Sequence, residues 1–151
     1  MSRPATGVDH TQALSDLVDF FEALTPQRVA ALPQHYAHDV RFKDPFNEVQ
    51  GVGQVQAIFS HMFVQLQQPR FVVRERVLQG HQAFLTWDFL FHLRRFDTQT
   101  LQTVRGATHL EFNERGLVSV HRDYWDAAEE LYEKLPLLGA LMRWLKRQAR
   151  S

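Results

Sequence analysis

The chain has no cysteine, so disulfides, thiolate nucleophiles and cysteine-ligated metals are excluded. It carries no excess of either charge: among 151 residues, seventeen Lys and Arg balance seventeen Asp and Glu, for a formal net charge of zero. A nucleic-acid binder needs a basic face to neutralise phosphates, so no nucleic-acid partner is expected. No apolar run reaches the roughly 20 residues of a transmembrane helix, and the opening MSRPATGVDHTQ lacks the apolar core of a signal peptide. A soluble, cytoplasmic protein is the expectation. Polar aromatics are scarce, with three Tyr and three Trp against twelve Phe. Phe has no polar handle, so these rings can fill a plain core or line an apolar pocket without needing a hydrogen-bond partner.

With 44% hydrophobic residues, the chain fits one domain with a sizeable core. No repeat, low-complexity tract or linker divides it. Residues 1–8 are expected to be a disordered N-terminus, 9–126 a single domain, and 127–151 a C-terminal helical extension. Ala13, Leu14, Leu17, Val18, Phe20, Phe21 and Leu24 follow helical spacing. Thr25-Pro26 opens a second short helix carrying Val29, Leu32 and Tyr36, bent by Pro33. A third helix is expected from Val52 to Gln67, ending before Pro69. Stretches 71–78, 83–96, 101–112 and 117–125 are rich in β-branched and aromatic residues and are separated by short turn sequences. Consecutive strands of this kind imply an antiparallel meander.

The most informative stretch is Tyr36 to Phe59, YAHDVRFKDPFNEVQGVGQVQAIF. A short strand through Val40 and Phe42 delivers Asp44 directly before Pro45, whose ring fixes the exit of the strand. A second cluster, His121-Arg122-Asp123-Tyr124-Trp125-Asp126, closes the last strand pattern. Together these segments resemble the nuclear transport factor 2-like superfamily, which includes ketosteroid isomerases, scytalone dehydratase, limonene epoxide hydrolase and polyketide cyclases. The resemblance implies an α+β, cone-shaped domain: three N-terminal helices packed on a strongly curved antiparallel sheet, often dimeric, around a pocket.

The resemblance also nominates residues. Fitted to ketosteroid isomerase, Asp44 falls on the aspartate that shuttles a proton; the structural alternative is that Asp-Pro simply ends a strand and caps a turn. The isomerases' oxyanion donors fall on Phe20 and Thr108, and a supporting tyrosine falls on Phe59. An enolate needs preorganised donors, so steroid isomerase activity is not expected. If Trp125 faces the cavity, strand alternation brings Asp123 and His121 to the same side. There they form either an acid/base pair or a structural anchor of the strand end. Trp87, Phe89 and Phe91 alternate on one face of a long strand, with Thr108 and Leu110 on the next. Phe20, Tyr36, Phe59 and Phe63 would approach from the helices. The candidate catalytic residues are therefore Asp44, Asp123 and His121, and the others, with Trp125, are the candidate ligand-binding residues. Neither the Asp-Arg-Asp arrangement of limonene epoxide hydrolase nor the His-His-Asp set of scytalone dehydratase is complete.

No metal or other cofactor is expected. The eight histidines are scattered, and the i, i+3 pair His35/His38 would need further ligands that the sequence does not supply. The tail from Leu135 to Arg147 combines an apolar stripe with basic charges. It is read as a lid, as a helix packed on the domain or on a dimer partner, or as a weak membrane contact. Cofactor-free acid/base chemistry on a small hydrophobic ligand is the preferred expectation, with isomerase, dehydratase or cyclase character. A non-catalytic carrier and a dimeric interaction module are the alternatives.

Overall fold

The computed structural model describes residues 8–126, Glu130 and residues 147–148. The expected disordered N-terminus up to residue 7, and nearly all of the C-terminal extension with its lid and membrane readings, lie outside the described residues.

Helix α1 (Thr11–Glu22) starts where the Asp9 carboxylate accepts the Thr11 backbone N–H at 2.9 Å and the Thr11 hydroxyl at 2.6 Å. Its buried stripe, Leu14, Leu17, Val18 and Phe21, keeps the i, i+3, i+4, i+7 spacing of an amphipathic helix. A 3-10 segment, Arg28–Gln34, follows and contains Pro33. Tyr36 does not belong to this helix as the sequence suggested. Pro33 has no N–H to continue a helical ladder, and Tyr36 instead opens strand β1 (Tyr36–Lys43). Strand β2 (Glu48–Gln50) pairs back on β1, and helix α2 (Val52–Gln65) follows directly.

Four strands complete the domain: β3 (Leu66–Gln79), β4 (Gln82–Leu93), β5 (Gln102–Phe112) and β6 (Val118–Tyr124). Helix α2 ends two residues earlier than its apolar spacing implied, because Leu66 and Gln67 already pair with Leu93 and His92. Gln68 then takes φ 52° and buried Pro69 falls in the register break between Gln67 and Arg70. A bulge is where a strand tolerates a residue without an N–H. Strand β4 stops at Leu93, short of the Phe96 expected from composition; Phe96 has φ 68° and is exposed.

The six strands form one open sheet in the order β2-β1-β6-β5-β4-β3. The sheet is mixed, which corrects the expected antiparallel sheet: β3 to β6 form an antiparallel meander, but β1 and β6 pair in parallel. The cause is connectivity. After β2, helix α2 carries the chain from one edge of the sheet to β3 at the other, packing on β1, β2 and β3 as it crosses. The meander then returns to β1 without a hairpin between them, and parallel neighbours require such a crossover. No helix among the described residues is long and apolar enough to cross a membrane.

Candidate active site

The site is built on the sheet face beneath α1 and α2. Register across the meander puts Val73, Trp87 and Gly106 in one row, and Leu85, Thr108 and Asp123 in the next. His121 lies opposite Leu110 on β5 and opposite Phe42 on β1. Cross-strand partners share a face, so these side chains converge. His121 is 3% exposed and Thr108 is 3% exposed, burial that demands hydrogen-bond partners for both.

They have them, in one continuous chain. Trp87 Nε1–H donates to Thr108 Oγ1 at 2.7 Å, and Thr108 Oγ1–H donates to Asp123 Oδ1 at 2.6 Å. His121 Nε2 lies 2.7 Å from the same Oδ1, and its Nδ1 lies 2.5 Å from the Tyr36 hydroxyl. Proton positions follow from the inventory of donors. The indole can only donate, so the Thr108 proton goes to Asp123. Tyr36 is buried, and burial, reinforced by the charge of Asp123, holds its phenol well above the usual tyrosine range. It therefore keeps its proton, and its hydrogen-bond partner among the described residues, His121 Nδ1, is the acceptor that can take it. With the phenol donating to Nδ1, the His121 ring carries its proton on Nε2 and donates it to Asp123 Oδ1. Two donors occupy Oδ1, and Oδ2 has no donor among the described residues.

Gly106 seats the first member of this chain. A Cβ at position 106 would lie 2.3 Å from Trp87 Cη2, so only glycine leaves room for the indole. The cavity that the network borders is narrow, about 20 Å³, and is walled by Phe21, Phe59, Phe71, Val73, Leu85 and Trp87, with Thr108, His121 and Asp123 as its polar side. That volume is roughly the room one water molecule needs.

Of the residues nominated from sequence, Asp123, His121, Thr108, Trp87 and Phe59 come together at this cavity. Tyr36 joins them from behind, through His121. Phe20 does not line the cavity; it packs on the His35 ring at 4.5 Å, and its neighbour Phe21 takes the wall position. Phe89 stacks on Phe71 at 4.7 Å and meets Phe91 at 5.2 Å, outside the lining. Phe63 is half-buried beside the core and Leu110 is fully buried within it. Trp125 packs edge-on against Phe46 at 5.4 Å.

Asp44 is bound into its own turn. Its Oδ1 accepts the backbone N–H of Phe46 at 2.8 Å and of Asn47 at 2.6 Å, and the Asn47 amide reaches both carboxylate oxygens at 3.1 Å. Burial outweighs these donors and raises the carboxyl above its usual range, and the charge of Asp123 adds to the rise. The Asp44 carboxylate is thus near enough to Asp123 to feel it, but it does not line the cavity.

Sequence alone missed Phe21, Phe71, Val73 and Leu85. Helical spacing put Phe20 and Phe21 on the same apolar stripe and could not choose between them. Phe71 and Val73 were findable only through register, as the partners of Phe89 and Trp87.

An open sheet with two helices and a 3-10 segment over one face, and an inward carboxylate on its late strand, is the architecture of the nuclear transport factor 2-like superfamily. Residues 17–121 match the SnoaL-like domain model, and the chain belongs to that family. No curated protein matches it in sequence. Among solved structures it resembles a SnoaL-like protein of polyketide cyclase type from Jannaschia sp. CCS1, at 14% identity over 97% of each chain with a TM-score of 0.67. It also resembles an LEH-like epoxide hydrolase from M. tuberculosis, at 12% identity over 91% of this chain and 97% of that one, TM-score 0.67. A Catenulispora acidiphila protein of ketosteroid isomerase-like fold, solved with trimethylamine, shares 14% identity over 81% of this chain and 91% of its own, TM-score 0.67. At these identities the likeness is one of fold.

Proposed function

We propose that the chain binds a small, largely apolar metabolite at the cavity and acts on it by acid/base chemistry without a cofactor, with Asp123 as the proton-accepting group. The observation that carries this reading is the polarity of the buried network: it holds Asp123 Oδ1 by two donors and leaves Oδ2 without one among the described residues, on a carboxylate that borders an otherwise largely apolar cavity. A general base must be held within reach of its proton and be unencumbered on that side, and Oδ2 meets both conditions. His121 and Thr108 position it, and Tyr36 fixes the tautomer of His121. The fold neighbours include proteins of cyclase, isomerase and epoxide hydrolase type, and one was solved with a small amine, which supports a small-molecule site. Base-catalysed dehydration, cyclisation and isomerisation begin with removal of a proton. Reactions that build a full enolate are poorly served, because the Thr108 and Trp87 donors are already committed.

The test is a screen of small apolar alcohols, amines, ketones and aromatic enols by 19F NMR of 5-fluorotryptophan at position 87, followed by turnover assays of the hits. Turnover that falls steeply in Asp123→Asn supports the reading; hits turned over equally by wild type and variant overturn it. The small cavity favours a second reading, an interaction module whose interior is filled by its own side chains. That reading requires that no compound shift the Trp87 resonance.

A further inference from the structure

Among the described residues, every side-chain polar hydrogen of the network beside the cavity is already in use. The indole N–H of Trp87 goes to Thr108, the Thr108 hydroxyl and His121 Nε2–H go to Asp123 Oδ1, and the Tyr36 hydroxyl goes to His121. Among the described residues that line the cavity, the side-chain acceptor left without a donor is Asp123 Oδ2. A ligand that only accepts hydrogen bonds would find no donor there.

Charge narrows the choice further. Among the described residues no Lys or Arg lines the cavity, and His121 is neutral in the arrangement that satisfies Tyr36. A half-buried carboxylate without a cation beside it is unfavourable. No cluster of three or more metal-binding side chains exists among the described residues, so these residues favour an organic cation over a coordinated metal. Phe21, Phe59, Phe71 and Trp87 line the same space, and aromatic rings attract a desolvated cation placed against them.

We propose that the ligand of this site carries a small organic ammonium, with one N–H donated to a lone pair of Asp123 Oδ2, whose second lone pair stays open for proton transfer, and its apolar substituents against the four rings. The proposal rests on the cavity being a ligand site, as inferred above, and specifies the chemical class. The cavity as it stands admits only the ammonium head. Admitting the substituents requires the half-buried Phe71, which meets Trp87 edge-on at 5.7 Å, to turn.

The experiment titrates four probes of similar carbon frame into the full chain at neutral pH: isopropylammonium, 2-propanol, acetone and isobutyrate. Binding is read from the 19F resonance of 5-fluorotryptophan at position 87. Isopropylammonium should saturate, with affinity about tenfold or more above the alcohol, ketone and acid, and this preference should vanish in Asp123→Asn. That variant keeps an oxygen for Thr108 and His121. Phe71→Leu, which leaves the network intact, should weaken the ammonium several-fold and serves if the first variant folds poorly. Equal or tighter binding of 2-propanol or acetone, or an unchanged ammonium affinity in Asp123→Asn, overturns the ammonium assignment while leaving a ligand site. Failure of all four probes overturns the ligand site itself and this proposal with it.

Discussion

Replacing Gly106 by alanine should disrupt the site through Trp87 alone. The new methyl would lie 2.3, 2.6 and 2.8 Å from three carbons of the indole's six-membered ring. Ordinary carbon contacts begin near 3.5 Å, so the ring must retreat by about 1 Å. Trp87 is 7% exposed and is pinned by its 2.7 Å bond to Thr108, so it cannot retreat freely. Overpacking a core costs about 1–3 kcal/mol, and a lost hydrogen bond adds about 1 kcal/mol. The expected destabilisation is therefore about 2–4 kcal/mol, or roughly 5–15 °C in Tm for a domain of this size. Trp87→Phe removes the clashing atoms, at its own cost in packing and in the bond to Thr108. Urea denaturation of both single variants and the double variant closes the cycle. The double variant should be more stable than the sum of the singles by about 1–3 kcal/mol. Strict additivity would refute the claim that Gly106 is glycine because the indole lies over it.

Thr108→Val should cost about 2–4 kcal/mol, since it orphans the Trp87 N–H and removes a donor from a charged acceptor; urea unfolding reads it, and a near-neutral effect would contradict the network. Tyr36→Phe should cost about 1–3 kcal/mol, because His121 Nδ1 becomes a buried acceptor without a donor, and the loss should appear in Tm. Asp44 behaves differently with pH. Its folded carboxyl is raised by burial, so the folded state holds that proton more tightly than the unfolded chain. The associated stability is present below the ordinary carboxylate range and is lost as pH rises through the raised value. Asp44→Asn cannot ionise yet can still accept the Phe46 and Asn47 N–H groups. It should therefore gain stability relative to wild type between acid and neutral pH. Asp44→Ala forfeits the turn and should lose about 1–2 kcal/mol; parallel melts across pH distinguish the two variants.

Where a signal was local, the sequence carried it. The 3.6-residue spacing of Leu14, Leu17, Val18 and Phe21 marked α1, and alternation through Trp87, Phe89 and Phe91 marked β4. Partner choice is not local. Nothing in YAHDVRFK announces that β1 pairs in parallel with a strand some eighty residues later, because that depends on where α2 delivers the chain. The helical spacing of Val29, Leu32 and Tyr36 likewise extended across Pro33, where tertiary burial of the phenol against His121 decided the structure. At the site, His121 and Asp123 were readable as a pair two residues apart on a strand. Their partners Tyr36, Thr108 and Trp87 come from three other strands and required the register. Asp44 stood out because Asp-Pro marks a strand exit, and the same motif supplies the turn donors that now occupy its oxygen.

The most direct measurement is the 15N NMR spectrum of the His121 ring at neutral pH, since the free oxygen on Asp123 follows from the direction of every bond in the network. The account predicts a neutral ring with its proton on Nε2 and an unprotonated Nδ1 accepting from Tyr36. An imidazolium, or a proton on Nδ1, would reverse the Tyr36 bond, place a cation or a bare nitrogen beside Asp123, and contradict the assignment of Oδ2 as the acceptor left without a donor among the described residues.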